Sequence, residues 1–177
     1  MHRYVETDPL GDATAPHSPT YGVSKVSQEA VARTMARVLD LPTTITHINA
    51  SYGPNGGLPA YHGDWVAAGE SVWLREPGPN AYSPIHEDDM ARQVEALLEA
   101  ASAPATIVNW FGDDVVTAEE WVARYGADLG VEPKLARYER PGGRPGSAGD
   151  PTRRQSLTGP CAIDWRVGMI ATLDARV

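Results

Sequence analysis

The sequence has few cysteines, few basic residues and no long apolar run, and each shortage excludes a class of protein. Cys161 is the single cysteine among 177 residues, so the chain can form no internal disulfide and no cysteine-rich metal site. The 15 basic residues face 23 acidic ones, and the resulting net charge of −8 disfavours a nucleic-acid-binding surface. No apolar run approaches the roughly 20 residues of a membrane span, and the N-terminus lacks a signal-peptide pattern. We therefore expect a cytoplasmic protein that binds neither membranes nor nucleic acid.

The remaining composition is that of one α/β domain. The chain is 42% hydrophobic and 21% charged, which is ordinary for a globular protein with a sizeable core. Apolar periodicity predicts helices at 20–39, 58–69, Asp88 or Asp89 to 101, Thr117 to Leu129, and from about Asp164 onward. β-Branched and apolar runs predict strands at 43–48, 71–74, 81–85 and 105–109. Loops are predicted at 1–20, 49–57 and 141–149.

Two finer expectations accompany these elements. In the first helix, Val31, Met35 and Val38 recur at helical spacing and form its apolar stripe. The extended segments 71–74 and 81–85 are separated by a Pro/Gly turn, so we expect them to pair with each other.

The first two turns of this helix carry a pair of residues suited to proton transfer. Tyr21 and Lys25 are four residues apart and therefore share one helical face. A lysine ammonium beside a phenol favours the phenolate and lowers a pKa that is otherwise about 10. A phenol tuned towards neutral pH can give or take a proton at a carbonyl or an alcohol. The pattern thus indicates chemistry at an oxygen-bearing carbon.

Other polar residues have simpler interpretations. The run from His86 to Asp89 could suggest a metal site or the carboxylate pair of a glycoside hydrolase, but adjacent helical residues do not face one site. We interpret them as the N-terminal cap of a helix. The histidines lack H-E-x-x-H spacing, so no metal site is predicted. Cys161 is interpreted as a small buried group, and Trp110, beside a strand end, is a candidate pocket residue.

Four segments follow one another in an order that resembles a known family. They are Tyr21-Gly22-Val23-Ser24-Lys25 followed by Glu29, Thr44 to Pro54 ending in Asn49-Ala50-Ser51-Tyr52-Gly53-Pro54, Ile85-His86-Glu87-Asp88-Asp89-Met90-Ala91, and Val108-Asn109 followed by Thr117 to Leu129. Together they resemble the C-terminal half of extended short-chain dehydrogenases/reductases, the family of NAD-dependent epimerases and dehydratases. The resemblance covers about residues 4–130.

The resemblance implies an α/β, Rossmann-type fold with NAD or NADP as the cofactor. Tyr21 would be the catalytic acid/base, and Lys25 would lower its pKa and hold the nicotinamide ribose. Asn49, Ala50 and Ser51 would lie near the nicotinamide and the substrate.

The expected substrate is a small molecule with a carbonyl or hydroxyl group. Asn49, Tyr82 and His86 are the candidate substrate-binding residues. Nucleotide-sugar enzymes of the family commonly carry an arginine at the position of Tyr82, where it meets a phosphate. Arg75 and Arg92 are possible substitutes for it in this chain, and a substrate smaller than a nucleotide sugar is an equal alternative.

The family's glycine-rich phosphate loop has no counterpart in the sequence. Neither G-x-G-x-x-G nor G-x-x-G-x-x-G occurs between a predicted strand and a predicted helix. We therefore expect a family member that lacks its N-terminal, phosphate-binding half, with little dinucleotide binding by this chain alone. The exposed edge of such a half sheet should favour homo-oligomers or pairing with another chain.

The sequence thus leaves three hypotheses of different classes. The first is an NAD(P)-dependent oxidoreductase or epimerase/dehydratase-like enzyme, and the second is a non-catalytic module that binds a ligand or a partner chain. A hydrolase that uses the carboxylates of 87–89 is the third. In the single domain 1–177, we expect 1–54 and 104–130 to form the Rossmann part. The segments 55–103 and 131–177 would form a smaller substrate-side lobe and tail.

Overall fold

The computed structural model describes residues 2–10, 19–139 and 146–177, which form a mixed α/β fold. The helices in these ranges are α1 (Pro19–Val38), α2 (Leu58–Ala67), α3 (Glu87–Glu99), α4 (Ala118–Leu129), α5 (Thr152–Thr158) and α6 (Trp165–Asp174). The strands are β1 (Thr44–Ile48), β2 (Ser51–Tyr52), β3 (Ser71–Glu76), β4 (Ala81–Tyr82), β5 (Ile85–His86), β6 (Thr106–Trp110), β7 (Val116–Thr117) and β8 (Lys134–Glu139). None of the described helices is both long and apolar enough to cross a membrane.

The predicted helix–strand unit at the start of the chain is confirmed. After α1 the chain turns at Asp40, which has a φ of 47°, and then enters β1. β1 pairs in parallel with β6, from Thr44 opposite Thr106 to Ile48 opposite Trp110. Parallel strands require a long crossover connection, and here it contains α2 and α3.

The side that α1 buries differs from the predicted one. The side chains of Val31, Met35 and Val38 are 61%, 41% and 69% exposed, so the apolar stripe faces away from the chain's own core. Glu29 and Ala36 are the buried residues of this helix. The spacing correctly indicated a helix. The hydrogen bond between Glu29 and His47 decides which face of this helix is inward.

Residues 49–57 are not entirely a loop, and this prediction is corrected. They contain β2, which pairs in parallel with β5, with Ser51 opposite Ile85 and Tyr52 opposite His86. Two residues are too few to show the alternating pattern of a strand in the sequence. This pairing joins the end of β1 to the start of α3.

The predicted pairing of 71–74 with 81–85 is wrong. β3 pairs in parallel with β8, and the second segment divides into β4, which pairs antiparallel with β7, and β5. Along β3, Val72 and Leu74 are buried while Ser71 and Trp73 are exposed. The pairing with β8 therefore places one apolar face of β3 on the core. This burial outweighs the advantage of pairing with 81–85, which lies closer in the sequence.

Helix ends with local capping residues were predicted from the sequence in three cases. The predicted capping box of α4 is confirmed, because Thr117 and Glu120 bond reciprocally, and Gly130 ends this helix with a left-handed φ of 67°. Asp164 caps α6 as expected. For α3 the cap is His86 rather than Asp88 or Asp89, and α5 was not predicted.

The main core lies in a lobe formed by α2, α4, α6 and β3. It is centred on Trp121, which is completely buried. The buried residues of this cluster are Tyr52, Val66, Val72, Leu74, Val116, Ala118, Trp121, Val122, Tyr125, Trp165, Met169 and Leu173. They come from β2, α2, β3, β7, α4 and α6, so the lobe cannot form from one contiguous segment.

The loops predicted at 1–20 and 141–149 are described only in part, since 1, 11–18 and 140–145 lie outside the described residues. Within the described part, Tyr4 forms a parallel bridge with Gly149. A Cβ atom on Gly149 would lie 1.9 Å from the Phe111 ring, so only glycine permits this approach. The N-terminal segment is thereby joined to the chain that precedes α5.

The buried His62 makes the stability of this lobe depend on pH. Burial lowers the pKa of His62 from 6.5 to about 4, and its Nδ1 accepts a hydrogen bond from Trp121 Nε1 at 3.0 Å. Below pH 6.5 the unfolded chain binds a proton that the folded chain refuses, so folding loses stability as the pH falls to 4. We expect this residue to contribute a loss of about 3 kcal/mol in the free energy of unfolding.

Urea denaturation at several pH values measures this loss. His62→Gln keeps an acceptor for the indole and should flatten the dependence of unfolding free energy on pH in that window. An equally steep dependence in the variant would show that His62 is not its source.

Candidate active site

Tyr21 and Lys25 lie together on an exposed face of α1, as predicted. The Tyr21 side chain is 64% exposed, and Lys25 Nζ lies 5.8 Å from the centroid of its ring. The ammonium also donates a long hydrogen bond of 3.4 Å to Gln28 Oε1. Among the described residues no carboxylate holds either side chain, and neither is buried in the core, so both can meet a ligand.

The position of this pair relative to the strands follows from Glu29. The side chain of Glu29 bonds to His47 near the carboxyl end of β1. Because only residues 39–43 connect α1 to β1, this contact implies that the helix runs antiparallel to the strand. Tyr21 precedes Glu29 by eight residues, which places it about 12 Å further along the helix axis. Tyr21 therefore lies towards the carboxyl ends of β1 and β6, where open α/β sheets bind ligands.

A buried polar network fixes α1 in this orientation. Glu29 Oε2 accepts from His47 Nε2 at 2.8 Å, and Glu29 Oε1 accepts from Arg33 Nε at 2.7 Å. Burial disfavours the charged form of Glu29, but the hydrogen bonds from Arg33 and His47 outweigh it and hold the pKa of this carboxyl below its ordinary value. On its other side, His47 Nδ1 lies 3.2 Å from Asn109 Oδ1 on β6.

The same network reaches the N-terminal segment. The backbone N–H of Asn109 donates to Glu6 Oε1 at 2.8 Å, and Asn109 Nδ2 donates to the Tyr4 carbonyl at 3.1 Å. One polar chain thus joins α1, β1, β6 and residues 4–6. Sequence analysis missed it because its members are far apart in the chain. The only local signal was a glutamate on the helix face opposite Val31.

Asn49 has a defined place in the structure. Its Oδ1 accepts from the Ser83 backbone N–H at 2.9 Å, and its Nδ2 donates to Ser147 Oγ at 2.9 Å and to the Ser147 carbonyl. The adjacent Ala50 is buried, and its carbonyl accepts from the N–H of Ile85. Asn49 therefore joins the end of β1 to two other segments, and its role towards a ligand, like those of Ala50 and Ser51, stays a prediction.

Tyr82 and His86 are both tied to packing. The Tyr82 ring lies 5.5 Å from the ring of Trp121, and burial raises the pKa of its phenol, although the nearby Arg75 cation opposes that shift. His86 is 7% exposed and packs edge-on against Tyr52 at 5.1 Å between ring centroids. The structure does not bring these two side chains and Tyr21 into one cluster, so their substrate roles also stay predictions.

The carboxylates of 87–89 point to different partners. Glu87 accepts from Asn55 Nδ2 at 3.0 Å, while Asp88 is largely exposed. The buried Asp89 accepts from Arg92 at 2.6 Å and from the backbone N–H groups of 162 and 163 at 2.8 and 3.1 Å. They form no catalytic pair, and Arg92 is already engaged by Asp89.

The remaining candidates of the sequence are also placed. Trp110 donates from Nε1 to the buried Gln93 at 2.8 Å. Cys161 is half-buried, and burial raises the pKa of its thiol to about 11, which keeps it protonated and unreactive near neutral pH. Among the described residues, no group of His, Cys, Asp and Glu could hold a metal ion.

The network around Glu29 can be tested directly. Glu29→Gln removes the charge that binds Arg33 and His47 and should cost about 1–3 kcal/mol of unfolding free energy. In this variant the backbone amides of α1 should exchange hydrogen faster than in the wild-type chain. Within α4, the relative exchange rates of the amides should stay the same. Glu70→Gln, at an exposed position, is the matched control. Unchanged exchange in α1 would contradict the orienting role of Glu29.

Comparison with known proteins gives solved structures but no match to a family model or a curated protein. A dTDP-glucose 4,6-dehydratase from Streptomyces venezuelae, solved with NAD, is 22% identical and has a TM-score of 0.79, with 99% of this chain and 54% of that chain covered. A UDP-glucuronic acid 4-epimerase from Bacillus cereus, solved with UDP-glucuronic acid and NAD, is 18% identical with a TM-score of 0.79, covering 98% and 58%.

A UDP-glucose 4-epimerase from Thermus thermophilus, also solved with NAD, is 21% identical with a TM-score of 0.73, covering 97% and 59%. The chain therefore spans little more than half of the length of these enzymes. Since nearly all of it is covered in each case, the chain has the Rossmann-like fold of the C-terminal part of extended short-chain dehydrogenases/reductases.

Proposed function

We propose that this chain is the catalytic C-terminal part of an NAD(P)-dependent oxidoreductase or epimerase/dehydratase-like enzyme. The observation that carries the proposal is the joint exposure of Tyr21 and Lys25 on α1, with the ammonium 5.8 Å from the phenol ring. The three structurally similar enzymes were solved with NAD, which is consistent with the same cofactor here.

The residues present fit a nicotinamide nucleotide at this end of the fold. Lys25 offers an exposed ammonium whose single described hydrogen bond is 3.4 Å long, so it can turn to a ribose hydroxyl. When bound, the nicotinamide would supply or accept a hydride at a substrate carbon. Tyr21 would give or take the proton at the oxygen of that carbon, and the Lys25 charge would stabilise the phenolate form.

The substrate class is proposed more broadly than a nucleotide sugar. Tyr82, at the position where the family commonly carries a phosphate-binding arginine, packs on Trp121, and Arg92 is engaged by Asp89. Asn49 to Ser51 would stand at the mouth of the site, where β1 ends. A small molecule with a carbonyl or hydroxyl group meets the requirements of Tyr21 without a diphosphate anchor.

The catalytic assignment is tested in the longest polypeptide of the gene that contains this chain. Tyr21→Phe should lower hydride transfer from NADH to a panel of small ketones and 4-keto nucleotide sugars at least about a hundredfold, because the proton donor is lost. The affinity for NADH, followed by tryptophan fluorescence, should be nearly unchanged. Tyr61→Phe, also at an exposed tyrosine, is the control.

A Lys25 variant tests cofactor binding and hydride transfer separately in the same assay. Lys25→Met should weaken NADH binding about tenfold as well as slow transfer, because the Lys25 ammonium would hold the ribose of a bound cofactor and stabilise the Tyr21 phenolate. Arg37→Met on the same helix should change neither. Full activity of Tyr21→Phe, or unchanged binding and activity of Lys25→Met, would remove the respective residue from the mechanism.

A second candidate function, that of a partner-binding module, is favoured by the outer surface of α1. Val31, Met35 and Val38 form an exposed apolar stripe, and among the described strands β1 pairs only with β6, which leaves its other edge open. Exposed apolar stripes and open strand edges favour association. A second copy of this chain is the partner that we propose for this surface.

Sedimentation equilibrium tests this association. The chain should form a dimer. Met35→Lys should raise the dissociation constant of this dimer at least about tenfold, because it places a charge in an apolar contact. Val167→Lys, at a similarly exposed valine on α6, should leave it unchanged. A chain that stays monomeric at all accessible concentrations would contradict this function.

A further inference from the structure

The segment 146–150 crosses the carboxyl ends of β1 and β6. Ser147 of this segment contacts Asn49, the residue that directly follows β1. Gly149 packs against the ring of Phe111, the residue that directly follows β6. Open α/β sheets bind ligands at the carboxyl ends of their strands, so the segment occupies part of the space that a ligand at this edge would use.

The side-chain amide of Asn49 is engaged at both ends by the chain itself. Its Oδ1 accepts from the Ser83 backbone N–H at 2.9 Å, and its Nδ2 donates to Ser147 Oγ at 2.9 Å and to the Ser147 carbonyl. A backbone N–H requires an acceptor and a carbonyl requires a donor, so these partners fix which end of the amide carries the oxygen. Each N–H of Nδ2 thus has an acceptor in Ser147, and a ligand could bind there only by displacing the segment.

Backbone hydrogen bonds hold the rest of the segment. Gly149 is buried, and its N–H donates to Ser83 Oγ at 3.2 Å. The carbonyl of the buried Ala148 accepts from the Tyr4 N–H at 3.0 Å, and the Asp150 N–H donates to the Tyr4 carbonyl at 2.9 Å. The segment is therefore a fixed part of the fold, held by backbone bonds at one end and by a side-chain amide at the end of β1.

Two glycines show how closely the segment fits against its neighbours. A Cβ atom on Gly146 would lie 2.1 Å from the carbonyl oxygen of Ala81, which belongs to β4. A Cβ atom on Gly149 would lie 1.9 Å from two carbon atoms of the Phe111 ring. Atoms cannot remain this close, so we expect a methyl group at either glycine to push the segment away from the strand ends.

We propose that the segment 146–150 limits the size of the substrate that reaches Tyr21, and that Asn49 is the positioning residue that holds it in place. This inference rests on the function proposed for Tyr21, which lies towards the same strand ends. Asn49 then acts on the reaction through Ser147 and does not contact the substrate. Loosening the segment should widen this edge of the fold and favour larger substrates, whereas loss of a direct contact would weaken the binding of every substrate.

The anchoring role of Asn49 is tested by hydrogen exchange of this chain. Asn49→Asp keeps the acceptor for the Ser83 N–H but removes the donor to Ser147 and places a negative charge beside its carbonyl. The backbone amides of 149 and 150 should then exchange at least about tenfold faster, because the segment opens more easily. Unchanged exchange within α4 would show that the variant is folded. Unchanged exchange at 149 and 150 would overturn the anchoring role, whatever Tyr21 does.

The size limit is tested in the longest polypeptide of the gene that contains this chain, with NADH and acetone, acetophenone or benzophenone. In the wild-type protein kcat/KM should fall as the ketone becomes larger. Asn49→Asp should raise the ratio of kcat/KM for benzophenone to that for acetone at least about tenfold, mainly through KM, because space rather than chemistry changes. Gly149→Ala displaces the same segment without altering Asn49, so it should change this ratio in the same direction.

Gly78→Ala is the matched control for the glycine variant. A Cβ atom at this position meets only side-chain atoms, the nearest at 3.3 Å, so the ratio should not change. An equal loss of kcat/KM for all three ketones in Asn49→Asp, without an effect of Gly149→Ala, would show a direct substrate contact and overturn the proposal. Full activity of Tyr21→Phe would remove Tyr21 from the mechanism, whereas an unchanged ratio in both segment variants would overturn the size limit alone.

Discussion

The arrangement of the candidate active site depends on the hydrogen bonds that Glu29 makes with His47 and Arg33. Few other described interactions hold α1 to the sheet, because the apolar stripe of this helix faces outward. A buried carboxylate without partners would be costly, so only one rotation of the helix satisfies Glu29. That rotation also decides that Tyr21 and Lys25 emerge on an exposed face beyond the end of β1. We infer that the bonds of Glu29 act mainly by specifying orientation rather than by adding stability.

The lobe is held by a different set of constraints. Its apolar core is centred on Trp121, and polar side chains at strand ends tie the later segments to it. Asn49 joins β1 to residues 83 and 147, and Asp89 joins α3 to residues 162 and 163. Each of these groups satisfies backbone N–H donors that would otherwise be unpaired on burial. The position of the C-terminal segment depends on these bonds.

The sequence predicted the elements with a strong local signal. The capping box at Thr117, the glycine after α4 and the aspartate before α6 each satisfy backbone groups within a few residues, so a single sequence shows them. The pairing of β3 with β8 and the inward face of α1 could not be predicted in this way. Both depend on partners far along the chain: β8 begins at residue 134, and Glu29 meets His47. The motif at Tyr21 was visible because its two residues are neighbours on one helix.

The central claim is that Tyr21 and Lys25 form a proton-transfer site for a nicotinamide cofactor. The most direct measurement is a crystal structure, with NADH, of the longest polypeptide of the gene that contains this chain. The account predicts that Lys25 Nζ hydrogen-bonds a hydroxyl of the nicotinamide ribose and that the Tyr21 hydroxyl lies beside the nicotinamide ring, at the carboxyl ends of β1 and β6. A cofactor bound elsewhere, with Lys25 turned to solvent, would contradict it.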